Sequence, residues 1–366
     1  MSAAGAPSTP ARWRRPLRGL QAGALPAALV LGGILLALNL ISFGFGEAPA
    51  SVLLRAFEGT WGTPYGVGQV LFKATPLLFT GLAFSIALRA GLFNIGAEGQ
   101  VAMASLAGAV VAAGLPPGTP WAVAVPASIA CAMATGAGVA LVPALLRARL
   151  GAHEIISGIM MNRIADVLAP WLLASALGTA AMRTADAIPA ATLPRLDRFV
   201  PALRGSAASV AFVLAVALAF AAHRALSRSR AGREMRFVGL GAEAARAEGI
   251  DVPRRRLAAM LASGAVAGAA MTATTLGYKG YYELGLGAGA GFSGIPVALL
   301  GRGTPLGLVL AAVLFGTVEQ AGLAVNARVP KEAMDVLEAL AIVLVAAAAG
   351  IGERARRPRL PGAAPR

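Results

Sequence analysis

Apolar stretches of about twenty residues recur along this chain of 366 residues, and each is long enough to cross the roughly 30 Å hydrocarbon core of a membrane. Hydrophobic residues make up 57% of the chain and charged residues 13%, a balance that excludes a soluble globular domain. The sequence therefore predicts an all-α, polytopic transmembrane helical bundle with about ten membrane segments, within a range of eight to ten. The segments lie at about 24–45, 67–88, 91–113, 120–146, 154–177, 206–226, 257–277, 292–301, 304–325 and 335–351.

Two of these segments are doubtful as spans. The segment at 292–301 is too short to cross as a straight helix, and the segment at 91–113 carries Asn94, Glu98 and Gln100 in its first turns. They occupy matching positions on either side of 178–205, a proline-containing connection, which predicts an inverted repeat of five plus five segments. The run of small residues at 263–270 predicts close helix packing.

Basic residues are distributed unevenly, and this distribution predicts the orientation in the membrane. With both termini inside the cell, 22 of the 32 Lys and Arg residues lie on the cytoplasmic side. The net charge of +15 therefore marks cytoplasmic loops rather than a nucleic-acid partner. The chain divides into a basic cytoplasmic tail at 1–23, a transmembrane domain at 24–351 and a basic cytoplasmic tail at 352–366. Within the domain, 178–205 is predicted to be external and 223–256 cytoplasmic.

Residue types that metal and catalytic sites need are scarce. The single cysteine, Cys131, excludes an intrachain disulfide and a thiolate metal cluster. His153 and His223 are the two histidines, which leaves little material for a zinc hydrolase. Each lysine follows Phe, Tyr or Pro, so the Gly-Lys-Ser/Thr end of a phosphate-binding loop cannot form. We therefore expect no catalytic residue, no metal and no cofactor in this chain.

Three stretches of the chain resemble a known family. Residues 91–100 read GLFNIGAEGQ, residues 151–156 and 159–162 read GAHEII and IMMN, and residues 291–302 read GFSGIPVALLGR. Together they resemble the permease subunits of bacterial ABC importers in the branched-chain amino acid, simple sugar and nucleoside permease family, most closely the longer permease of guanosine/nucleoside-type uptake systems. His153, Arg163 and Pro296 depart from the family's pattern.

The resemblance implies a multi-pass protein of the bacterial cytoplasmic (inner) membrane that translocates nucleosides. Its implied partners are a second related permease, an ABC ATPase that binds ATP and Mg, and an external substrate-binding lipoprotein. One alternative is a simple-sugar (ribose-like) importer of the same architecture. Another is a secondary transporter or channel that works alone and uses its buried acids as ion or proton sites.

The cytoplasmic loop contains a predicted two-turn helix. Residues 242–248 are strong helix formers between Gly241 and Gly249, with Pro253 just beyond. A helix this short is marginal alone, so it either docks on a partner or belongs to a solvated basic loop near anionic lipid. The resemblance favours docking on the ATPase and implies the coupling positions Arg236, Gly239, Ala244, Ala245 and Gly249.

Polar and aromatic residues near the interrupted segments are the candidate substrate path. Glu98 needs an explanation because an unpaired carboxylate within a span costs at least about 2.5 kcal/mol. It either lines the path or accepts backbone hydrogen bonds that hold a broken helix together. Aromatic faces suit nucleobases and sugars, although such residues more often belong to a core. The predicted path residues are Phe93, Asn94, Glu98, Gln100, Asn162, Phe292 and Ser293.

Overall fold

A computed structural model describes residues 35–330 without a gap, together with Gly32, Gly33 and scattered positions between 332 and 347. The described residues form helices and two isolated β-bridges but no strand. In chain order the helices are α1 (Leu35–Gly44), α2 (Pro49–Glu58), α3 (Pro64–Arg89), α4 (Ala97–Gly114), α5 (Trp121–Leu150), α6 (Glu154–Leu172), α7 (Ala211–Arg228), α8 (Arg230–Leu240), α9 (Ala242–Ala247), α10 (Val252–Gly268), α11 (Ala290–Gly301) and α12 (Pro305–Val325).

Seven of the described helices are long and apolar enough to cross a membrane, and an eighth crossing results if α1 and α2, which meet at 116°, form one span. The α6 and α10 spans include π-helical turns, Leu173–Leu177 and Thr272–Lys279. The all-α membrane bundle predicted from the sequence is confirmed. The segment count of about ten, the orientation and the inverted repeat stay predictions.

Predicted and observed boundaries differ mainly where the chain turns before a helix. The segment predicted from 91 forms a helix only from Ala97, and the segment predicted from 206 only from Ala211. The short segment at 292–301 is α11, whose 12 residues are too few for a straight crossing. Of the first predicted helix, the structure describes Gly32, Gly33 and the part from Leu35. Both tails and most of 335–351 lie outside the described residues.

The starts of α3, α10 and α12 share a local signal. Thr63, Asp251 and Thr304 each accept a hydrogen bond from the backbone amide three residues later, and a proline occupies the first turn. A side-chain acceptor at the cap and a proline in the first turn both favour a helix start, because the first amides of a helix lack partners within it. These starts are therefore set locally.

The centre of the bundle is formed by α3 and α10, the two most buried of the helices that can span. Against α10, α5 packs so closely that a Cβ placed on Gly136 would clash with the carbonyl oxygen of Gly264. The close packing predicted for the small residues at 263–270 is therefore confirmed.

The bundle has two ends that gather different connections. At one end, which we call the basic end, Arg89, α8 and Arg302 border one cavity. At the opposite end lie the start of α3 and the ends of α10 and α12. The 178–205 segment covers this opposite end through backbone hydrogen bonds, such as the one of 2.8 Å from the Leu193 amide to the Leu276 carbonyl. The predicted external and cytoplasmic loops thus lie at opposite ends.

Candidate translocation site and coupling surface

Glu98 joins the two interrupted segments. Its carboxylate, in the first turn of α4, accepts hydrogen bonds from the backbone amides of Gly289 (2.6 Å) and Gly291 (2.8 Å) at the start of α11. Gly289 caps α11 with a φ of 86° and has no side chain to accept these bonds, so the acceptor comes from another helix. A Cβ on Gly291 would clash with the backbone nitrogen of Glu98. Glu98 therefore accepts backbone hydrogen bonds, as one alternative predicted, but those of α11 rather than of its own helix.

Asn94 and Gln100 form a reciprocal amide pair. Asn94 Nδ2 donates to Gln100 Oε1 and Gln100 Nε2 donates to Asn94 Oδ1, both at 2.8 Å. Asn94 also donates to Ser263 Oγ (2.8 Å), and Ser263 donates to the Ala83 carbonyl (2.6 Å). The three polar side chains are fully buried, so this network fastens the turn before α4 to α3 and α10. Neither amide is exposed in this conformation, and a contact of either with solute stays a prediction.

Asn162, on α6, holds the same turn from another side. Its Nδ2 donates to the Ile95 carbonyl and its Oδ1 accepts from the Gly99 amide, both at 2.9 Å. The Asn162 side chain is buried. Its two hydrogen bonds satisfy backbone groups of Ile95 and Gly99 that have no backbone partner in the turn. Asn162 thus fixes α4 against α6.

The remaining predicted path residues differ in exposure. Phe93 and Phe292 are 39% and 45% exposed, whereas Ser293 is buried. The Phe93 ring meets Phe84 edge-on, with centroids 5.3 Å apart. The predicted path residues lie in the turn before α4, in the first turn of α4, on α6 and in the first turn of α11, and Phe93, Phe292 and Glu98 are at least partly accessible.

A charged surface lies beside Glu98. On α6, Arg163 Nη1 and Asp166 Oδ2 are 3.3 Å apart, and their side chains are 77% and 54% exposed. Asp166, Glu98 and Tyr282 line a cavity of about 240 Å³. The two side chains, three residues apart on one helix, therefore form an ion pair at the surface of α6. An exposed ion pair on a spanning helix is costly against lipid, so this face of α6 meets water or another protein.

A larger cavity, which the sequence did not reveal, lies at the opposite end of the bundle. Its volume is about 660 Å³, within the roughly 300–1,000 Å³ range of small-molecule sites. The Phe72 and Tyr278 rings have centroids 5.0 Å apart, and Lys73 Nζ lies 3.6 Å from Glu319 Oε2. Aromatic faces beside charged and amide groups suit a nucleoside or a sugar. The sequence signals for this cavity were Lys73 and Glu319, which are charged residues within or at the edge of predicted spans. That these two residues lie together depends on how α3 packs against α12. Further lining residues include Tyr65, Gln69 and Gln320.

The predicted two-turn helix exists as α9 and lies on the basic end. Ala244 and Gly249 are exposed, whereas Ala245 is buried in a cluster with Val238 and Val252. In this conformation the Ala245 side chain therefore packs within the chain, and Ala244 is the surface position beside it.

Helix α8 is seated directly on the membrane helices. A Cβ on Gly239 would clash with the carbonyl oxygen of Arg89 at the end of α3. Glu234 accepts a hydrogen bond from Arg230 Nε (2.6 Å) and another from Arg255 on α10. Arg230 and, to a smaller extent, Arg255 lower the pKa of Glu234 because they stabilise its charged form. These contacts therefore hold α8 against α3 and α10.

Spanning helices, a polar junction inside the bundle and a helical surface at one end define a multi-pass helical membrane protein. The family described as branched-chain amino acid transport system / permease component matches residues 66–346, and this chain belongs to it.

Relatives narrow the class of transporter. The chain is 33% identical to the glucose ABC transporter permease protein TsgB13 of Haloferax volcanii over 87% of this chain and 84% of that protein. It is 33% identical to the guanosine ABC transporter permease protein NupP of Bacillus subtilis over 88% and 92% of the two chains. It is 28% identical to the nucleoside ABC transporter permease protein NupB of Lactococcus lactis over 87% and 89%. The chain is an ABC importer permease of the sugar and nucleoside family, which confirms the resemblance of its three motifs.

Proposed function

We propose that this chain pairs with a second, related permease and imports a nucleoside-like solute across the bacterial cytoplasmic membrane. The observation that carries the proposal is the exposed charged face of α6 beside Glu98. Lipid would leave Arg163 and Asp166 poorly solvated, so a second permease covers this face and the solute passes between the subunits. Phe93 and Phe292 offer aromatic surfaces at the same junction.

The nucleoside assignment rests on the names of NupP and NupB. The glucose permease TsgB13 is as similar to this chain as NupP, so a simple sugar is the second candidate. Uptake of radiolabelled guanosine, ribose and glucose, measured side by side in cells that carry all the importer's subunits, separates the two. Guanosine uptake that excess sugar does not inhibit supports the nucleoside. Sugar uptake without guanosine uptake replaces it, and uptake that continues without the ATPase points to a stand-alone transporter.

The basic end faces the cytoplasm in this proposal, because the connections at that end carry most of the basic residues. A Cys131→Ala background with Ala185→Cys or Glu248→Cys tests the orientation, since both positions are exposed and lie in the segments at opposite ends. An impermeant thiol reagent added to intact cells should label only Ala185→Cys. Labelling of Glu248→Cys instead would reverse the orientation.

ATP and Mg are bound by a partner ATPase, for which α9 is the docking element. Ala244→Asp places a charge on the exposed side of α9, so it should abolish ATP-driven uptake while the permease remains inserted and folded. Ala245→Asp buries an unpaired charge beside Val238 and should lower the abundance of the permease itself. Normal uptake by Ala244→Asp at normal abundance would remove α9 from the docking surface. An external binding lipoprotein delivers the solute to the opposite end.

A further inference from the structure

A third cavity lies at the basic end, away from the α4–α11 junction. Its volume is about 410 Å³, and it is bordered by α3, α7, α8 and the turn between α11 and α12. Leu82 and Ile86, one to two turns inside the end of α3, give it an apolar wall. Its lining also includes three arginines and a histidine, Arg89, His223, Arg236 and Arg302.

The positive charge of this cavity is unmatched. No acidic residue lines it, and within the described part of the chain Arg89, Arg236 and Arg302 form no ion pair. Arg89 and Arg236 are close enough to repel each other. Arg302 has a φ of 50°, in the left-handed region that glycine adopts more easily, and its side chain is nevertheless kept at the cavity. An anion between these guanidinium groups would relieve the repulsion.

The position of the cavity indicates what carries the anion. Its neighbour α7 is the least buried of the seven helices that can span, so the cavity lies at the periphery of the bundle, beside lipid. A soluble anion would leave the apolar wall at Leu82 and Ile86 unfilled, whereas the acyl chain of a lipid would cover it. Guanidinium groups bind phosphate through paired hydrogen bonds, and basic pockets between membrane helices hold anionic headgroups.

We propose that this cavity binds an anionic phospholipid, with its phosphate at Arg89, Arg236 and Arg302 and one acyl chain along Leu82 and Ile86. Which leaflet supplies the lipid depends on the orientation proposed above, whereas the binding itself does not depend on it. A bound headgroup ties α8 to the end of α3, and α9 follows α8 directly. ATP-driven uptake therefore depends on anionic lipid through the elements that face the ATPase.

Titration of the complete purified importer with fluorescent phosphatidylglycerol, in phosphatidylcholine nanodiscs, tests the proposal. The double variant Arg89→Gln with Arg302→Gln should bind about 25-fold more weakly, since each charge removed should weaken binding about 5-fold. The matched control, Arg224→Gln with Arg228→Gln, removes two exposed charges of α7 that do not line the cavity and should bind as the wild type does.

Equal weakening by both double variants would show a general basic surface and overturn the proposal. Displacement of the lipid by inorganic phosphate or glycerol phosphate at matched concentration would assign the site to a soluble anion and also overturn it. If the charge variant does not assemble, a second variant is Leu299→Trp, which narrows the cavity at another apolar lining residue without changing its charge. Unchanged lipid binding by Leu299→Trp would overturn the proposal. Lipid binding is measured without solute, so an error in the nucleoside assignment does not affect the result.

Discussion

Replacing Glu98 tests the link between the two interrupted segments. Glu98→Ala removes the acceptor for the amides of Gly289 and Gly291, which lie 2.6 and 2.8 Å from its oxygens. Hydrogen bonds to a charged group contribute about 1.5–3 kcal/mol each, so losing both should cost about 3–6 kcal/mol of unfolding free energy. Glu98→Gln keeps the length of the side chain and one oxygen acceptor, but it replaces the other oxygen with an NH2 group that faces a backbone N–H. This variant should therefore cost about half as much unfolding free energy.

The assay is thermal unfolding of the purified permease in detergent, with membrane abundance and guanosine uptake measured in the same cells. The midpoint should fall in the order wild type, Glu98→Gln, Glu98→Ala. The matched control is Glu58→Ala, which removes an exposed carboxylate and should change the free energy of unfolding by less than about 0.5 kcal/mol. If Glu98→Ala and Glu58→Ala unfold at the same midpoint, the argument that Glu98 caps α11 is wrong. Lost uptake by Glu98→Gln at wild-type stability would instead show that the charge acts on the solute path.

Other contacts give predictions that the same preparations can check. Gly291→Ala should cost about 1–3 kcal/mol because its Cβ clashes with the backbone of α4, whereas Gly138→Ala, with open space around it, should be neutral or slightly stabilising; equal midpoints would contradict this. Asn94→Ala leaves both buried amide atoms of Gln100 without a partner and should cost about 1–3 kcal/mol for each, and a loss no larger than that from replacing an exposed Asn would argue against the network. Glu234→Gln should speed hydrogen exchange in 229–240 while the spanning helices stay protected, and unchanged exchange there would show that α8 is held by other contacts.

Local signals explain why some elements were predictable and others were not. The α9 helix could be predicted because strong helix formers stand between two glycines, a pattern read within a few residues. The position of α8 on the bundle depends on Glu234 meeting Arg255 and on Gly239 fitting against Arg89, which are contacts between residues distant in sequence. The same difference explains why Ala245 was expected on a surface that its neighbours Val238 and Val252 in fact cover.

The amino-acid sequence by itself determined the membrane bundle, most of its helices, the family and the residues that meet at the α4–α11 junction, because hydropathy, helix caps and motifs are properties of contiguous residues. Only the tertiary structure decided what those residues do. Asn94 and Gln100 form hydrogen bonds with each other because the turn before α4 brings Asn94 next to the first turn of that helix. Glu98 accepts hydrogen bonds from the start of α11 because glycines let the two helices approach closely. The basic cavity arises from arginines at the ends of α3 and α11 and within α8, and no local pattern specifies that these three helices will meet.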